Sequence, residues 1–138
     1  MLNNPYQKYK NIQYETATQE QLLLMLYNGA IKFGQQARQG LVDKKVELAN
    51  NNLKRVQAII NELMVTLDME RGGEIANNLY NLYDYINRRL IQANIRKDPE
   101  IVDEVLDLLV DLKETWEEAI RQLKQGQGQK IGGLNFEG

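Results

Sequence analysis

Two groups of charged side chains in this chain are spaced closely enough to do chemistry together. Asp84 precedes Arg88 and Arg89 by four and five residues, and Asp103, Glu104, Asp107 and Asp111 line up as a carboxylate edge. On a helix the first spacing is that of a surface ion pair, which leaves no group free to act as acid or base. The second could hold a divalent cation. Carboxylates three and four residues apart are more often simply the solvated face of a helix, and that reading is preferred. The rest of the catalytic inventory is missing. The chain has no histidine and no cysteine, which removes the usual general base, the triads built on it, thiolate zinc sites, disulfides and the Glu-x-x-His repeats of di-iron bundles. There is no phosphate-binding glycine loop and no dinucleotide fingerprint. The expectation is therefore no enzyme, with no catalytic, cofactor or metal residues assigned.

Charge and hydropathy narrow the class further. Seventeen Lys and Arg stand against nineteen Asp and Glu, a net charge of −2 with both signs interspersed. Nothing in that pattern is a phosphate-binding footprint, so nucleic acid is not an expected partner. No run reaches the ~18 apolar residues that span a bilayer, and the N-terminus has no secretion signal, so a cytoplasmic protein is expected. The 138 residues, 43% of them hydrophobic, suit one domain with a real core.

The elements that would carry these side chains are helices. Residues 1–17 are polar with spaced Pro5, Tyr6, Tyr9, Ile12 and Tyr14, a segment that either frays or docks on the domain as a short helix. Thr18 and Gln21 form a capping-box pattern, which predicts a first helix over 18–39 with Gly40 as its terminator. Val46, Ala49, Leu53, Val56, Ile60, Leu63 and Leu67 repeat at steps of three and four, predicting a second helix over 44–67. Gly72 and Gly73 break the pattern. A third helix over 74–96 carries Ile75, Leu79, Leu82, Tyr83, Ile86, Leu90 and Ala93. Asp98-Pro99 opens a fourth over 99–124, whose seam runs Val102, Val105, Leu109, Leu112, Trp116, Ala119 and Leu123. Residues 125–138, rich in glycine, read as a flexible tail. Short links between long helices predict an all-α, antiparallel up-and-down four-helix bundle.

Leu22 to Phe33 does not fit one buried stripe. With Leu22, Leu26, Gly29, Phe33 and Ala37 taken as the core face, Leu24 lies about 180° away and Ile31 about 160°, with Tyr27 also off the stripe. Ala58 and Val65 on the second helix, Tyr85, Ile91 and Ile95 on the third, and Leu106 and Val110 on the fourth also fall about 100° or more off their seams. This surplus is either wide flank packing or a docking surface. Its cover would then be the N-terminal segment, a partner helix, or a second copy of the chain, which would make the protein a self-associating bundle adaptor.

The same residues carry a family resemblance. Asn4-Pro5-Tyr6-Gln7-Lys8-Tyr9, the run Leu24 to Phe33, Leu82 to Leu90 with Ala93-Asn94-Ile95, and Thr115-Trp116 with Ala119-Ile120 closely resemble the flagellar secretion chaperone FliS family over roughly residues 4–124. The resemblance implies a cytoplasmic chaperone that binds the disordered C-terminal segment of flagellin, prevents premature polymerisation and helps present the subunit to the flagellar type III export gate. It further implies apolar contacts with a client that wraps the bundle, and an N-terminal segment able to occupy part of the same surface. Matching positions are Tyr6, Tyr9, Leu24, Tyr27 and Ile31; helical phase adds Ile91, Ile95, Leu106 and Val110.

Overall fold

The computed structural model describes residues 17–133, with side chains over 17–126. Tyr6, Tyr9 and the rest of the expected docking segment, and the last five residues of the expected tail, lie outside the described residues. Four helices follow: α1 (Gln19–Val42), α2 (Val46–Val65), α3 (Met69–Arg96) and α4 (Pro99–Gly133). α1 packs on α2 and α4, and α3 packs on the same two helices. The links are only two or three residues long, so successive helices must run in opposite directions. The result is an antiparallel four-helix bundle, with no strand among the described residues.

Local chemistry sets the helix ends. The capping box is formed: the Gln21 amide donates to Thr18 Oγ1 at 3.1 Å, and the Thr18 amide donates to Gln21 Oε1 at 2.9 Å. Asp98 accepts from the Glu100 amide at 2.9 Å ahead of Pro99. Gly40 does not end α1, which runs on to Val42. Its lack of a side chain serves packing instead, since a Cβ there would stand 3.0 Å from the Ala49 backbone nitrogen of α2. The chain then turns through Lys44 at φ 58°, with the Lys45 amide donating to Gly40 O at 2.8 Å, the hydrogen bond of a Schellman cap.

α3 is broken near its start. Asp68 caps one turn, Met69–Gly72, and Gly73 then leaves helical geometry at φ 55°, ψ −129°, a region open essentially to glycine alone. α4 is 35 residues long against 24 in α1 and does not stop near Lys124. Because it runs antiparallel to α1, its surplus turns extend past the start of α1.

The core runs along Leu53, Val56, Ile60 and Leu63 of α2, Tyr83, Ile86 and Leu90 of α3, and Val102, Val105 and Leu109 of α4, close to the expected seams. Complete burial of each such side chain is worth about 1.5–3 kcal/mol. α1 departs from the expectation. Its buried face is Tyr27, Ala30, Gly34, Ala37 and Leu41, about 80° from the stripe through Leu22, Leu26 and Phe33. The small residues explain the choice. A Cβ on Gly34 would come within 2.7 Å of Leu106 Cδ2, so α4 sits directly on this face and the bulkier stripe is turned toward the edge.

Candidate binding surfaces

Among the described residues, one apolar surface is a groove at the end of the bundle where α1 begins. Leu22, Leu23 and Leu26 form one wall, Leu67, Ile75, Ala76 and Leu79 the other, and Tyr83 and Trp116 the floor, around a cavity of about 560 Å³. The Gly73 break sits beside it. Ile75 points along the inward phase of α3 yet is 70% exposed, because no helix among the described residues covers it at this end.

Below the floor lies a buried hydroxyl pair. Tyr27 Oη and Tyr83 Oη share a short hydrogen bond, and Trp116 Nε1 donates to Tyr27 Oη at 3.2 Å. Burial is the main reason both phenols are pushed above the ordinary tyrosine range, and both stay protonated at neutral pH. The network ties α1, α3 and α4 together and fixes the tryptophan facing the groove. Chemically this site offers apolar burial, one indole face and, from Glu20 and Asp68, two carboxylates.

The second surface is the outer seam between α1 and α4. Leu106 rests on Gly34, and in an antiparallel pair one turn along from each brings Val110 level with Ile31. Leu24 continues the same flank two turns further. Leu24, Ile31 and Leu106 are half-buried, and Val110 is 37% exposed.

The residues selected from sequence therefore divide. Leu24, Ile31, Leu106 and Val110 share the α1–α4 seam. Ile91 and Ile95, 47% and 72% exposed, lie on the α2-facing flank of α3, where Asn87 donates to Asn61 and Asn94 donates to Asn50. That is the opposite side of the bundle. Tyr27 is a correction: expected on the outer face, it is completely buried, its hydroxyl satisfied by Tyr83 and Trp116. The groove residues Leu22, Ile75 and Trp116 were expected in the core. The available signal was the glycine pair at 72–73, which interrupts α3 just before Ile75 and leaves that end of the seam without cover.

The carboxylate edge of α4 is used for cross-links. Asp103 accepts from Arg38 of α1 at 2.5 Å. Glu104 accepts from Arg89 at 2.9 Å and from Tyr85 Oη at 2.5 Å, and the phenol's hydrogen bond, followed by the guanidinium, holds its carboxyl below the usual range. Asp84 pairs with Arg88 at 3.1 Å, the expected i,i+4 bridge.

The model of one protein family, described as flagellar protein FliS, matches residues 2–123. The chain belongs to the FliS family. It is 39% identical over 130 residues to the flagellar secretion chaperone FliS of Bacillus subtilis, covering 92% of this chain and 96% of that protein. It is 43% identical over 107 residues to the Salmonella typhimurium protein of the same description, covering 75% and 77%. The Campylobacter jejuni relative is 34% identical over 119 residues, covering 86% and 93%. FliS proteins are flagellar secretion chaperones and not enzymes. No helix among the described residues is long and apolar enough to cross a membrane.

Proposed function

We propose that this FliS-family chain works in the cytoplasm as the export chaperone of flagellin, binding its disordered C-terminal segment. Covering that segment keeps it from polymerising early and supports its delivery to the components of the flagellar type III export gate. The observation that carries the reading is the uncovered apolar groove, with Ile75 exposed on an inward phase, in a chain of this family. The α1–α4 seam through Leu24, Ile31, Leu106 and Val110 extends the apolar surface, and Ile91 and Ile95 supply contacts for a segment that wraps to the far side. Apolar flagellin helices that would otherwise pair with one another find equivalent burial here, at an ordering cost of about 2–5 kcal/mol. Tyr6 and Tyr9, carried over from the family resemblance, pack on the bundle when no client is present or touch the export machinery when one is.

The test is retention of the last ~40 residues of a flagellin, enough to form about 60 Å of helix. Wild-type chain is expected to retain the segment, and Ile75→Asp to lose at least tenfold in affinity while melting like wild type. Ile75 is the better probe than Ile31, which packs partly against the core. Absence of binding by the wild-type chain would refute the proposal.

A further inference from the structure

The groove is apolar within but acidic around. In the segments that bound it, residues 17–26, 60–79 and 112–126, there are eight Asp or Glu and four Lys or Arg; in the remaining described side chains, 27–59 and 80–111, there are nine and ten. Three of the four basic residues near the groove are already engaged, Arg71 by Asp68, Lys113 by Glu117 and Arg121 by Glu118. Glu20, Glu62, Glu70, Glu74 and Glu114 form no salt bridge among the described residues. Glu20 lines the cavity itself, together with Asp68, and no Lys or Arg among the described residues lines it.

From this charge distribution we infer that the groove's occupant is an amphipathic helix whose apolar anchors are flanked by Lys or Arg. Apolar burial in the cavity provides the affinity, and the carboxylate rim selects the flanking charge and the direction in which the helix lies. The selection is strong at low ionic strength and is screened at high salt, because the rim is solvent-exposed. This inference rests on the proposed function in taking the occupant to be part of the client, and it adds the chemistry by which one stretch of that client is recognised.

Trp116 is the chain's one tryptophan and forms part of the groove floor, so its emission reports occupancy directly. Full-length protein would be titrated with two synthetic 20-residue helices sharing one leucine stripe, flanked by Lys in one and by Glu in the other. The Lys peptide should bind at least tenfold more tightly at 50 mM salt, with a blue shift of Trp116, and the difference should shrink below threefold at 500 mM. Glu20→Lys with Glu74→Lys should reverse the preference, Glu47→Lys at the far end should leave it unchanged, and a Lys peptide with its leucines replaced by glutamine should give no shift. Equal affinity of the two peptides, a preference for Glu, or an effect of Glu47→Lys equal to that of the rim pair would overturn the inference. Retention of the flagellin segment, measured in parallel, separates the two failures. A retained segment without any Lys preference overturns only the charge selection, and an unretained one overturns the proposed function.

Discussion

Replacing Tyr27 by Phe removes one oxygen and disturbs three helices. The lost hydroxyl accepts from Trp116 Nε1 and shares a proton with Tyr83 Oη. Trp116 is only half-buried, so its N–H can turn to water and costs little. Tyr83 is 1% exposed, so its orphaned hydroxyl is nearly cut off from solvent. A net hydrogen bond contributes about 1 kcal/mol and an unsatisfied buried hydroxyl costs about 1–3 kcal/mol, so Tyr27→Phe should destabilise by about 2–4 kcal/mol. Tyr83→Phe leaves Tyr27 Oη still bonded to Trp116 and should cost about 1–2 kcal/mol. The double variant removes both partners at once and leaves no orphan between them. It should cost about 2 kcal/mol, less than the two singles together, for a coupling energy of about 1–4 kcal/mol. Urea unfolding of the four proteins at 25 °C measures the cycle. Additivity within about 0.5 kcal/mol would show that the two hydroxyls do not depend on each other, and would refute the network.

Three further outcomes follow from the same geometry. Gly34→Ala and Gly40→Ala should differ by urea unfolding: the first displaces only the tip of Leu106 and should stay within about 1 kcal/mol of wild type, helped by helix propensity. The second presses on the Ala49 backbone and should cost about 1–3 kcal/mol. Gly73→Ala adds a methyl group to open space, so its cost is backbone strain at φ 55° and ψ −129°. It should lose about 1–3 kcal/mol, visible as a lower melting temperature at unchanged helicity. The raised Tyr27 and Tyr83 phenols predict an alkaline limb. Unfolded phenols release their protons near the ordinary value of 10.0 while the folded pair holds them, so stability is intact below pH 10 and falls as pH rises above it. The melting temperature of Tyr27→Phe/Tyr83→Phe should decline less steeply over that range.

Periodicity made three of the four helix seams legible, and the reason α1 was misread is specific. A wheel weighted by hydrophobicity selects the stripe holding Leu22, Leu26 and Phe33. The face that is buried holds Tyr27 and a run of Ala and Gly, whose value lies in letting α4 approach until Leu106 touches Gly34. Nothing within α1 shows that Tyr27 has a partner for its hydroxyl, because those partners lie 56 and 89 residues away. Leu24, Ile31, Leu106 and Val110 nonetheless fall on one seam, the first three half-buried and Val110 37% exposed. Leu24 and Ile31 lie opposite the expected stripe and about 80–100° from the buried one, while Leu106 and Val110 depend only on the first part of the α4 seam, which is buried from Val102 to Leu109, whereas Ala119 and Leu123 further along are exposed. The groove was missed for a related reason: phase tells which way Ile75 points, but not whether a neighbour is there to meet it.

That missing neighbour bears on how a client could be held and let go. Leaving Ile75, Leu22 and their neighbours uncovered forgoes about 1.5–3 kcal/mol for each large side chain an occupant would bury. Two or three such anchors supply several kcal/mol, against an ordering cost of about 2–5 kcal/mol for a disordered segment. The groove alone therefore gives weak, rapidly reversible binding. Under the proposed function, firm retention comes from engaging the α1–α4 seam and the α3 flank together through one continuous chain, so that contacts add without a new association step. Release can then begin at any one surface and proceed stepwise. On this reasoning Ile75→Asp, Leu24→Asp and Ile95→Asp should each weaken retention of a flagellin C-terminal segment, while a peptide long enough to fill only the groove should respond to the first alone. Equal losses of the short peptide in all three variants would mean that the surfaces are not separate.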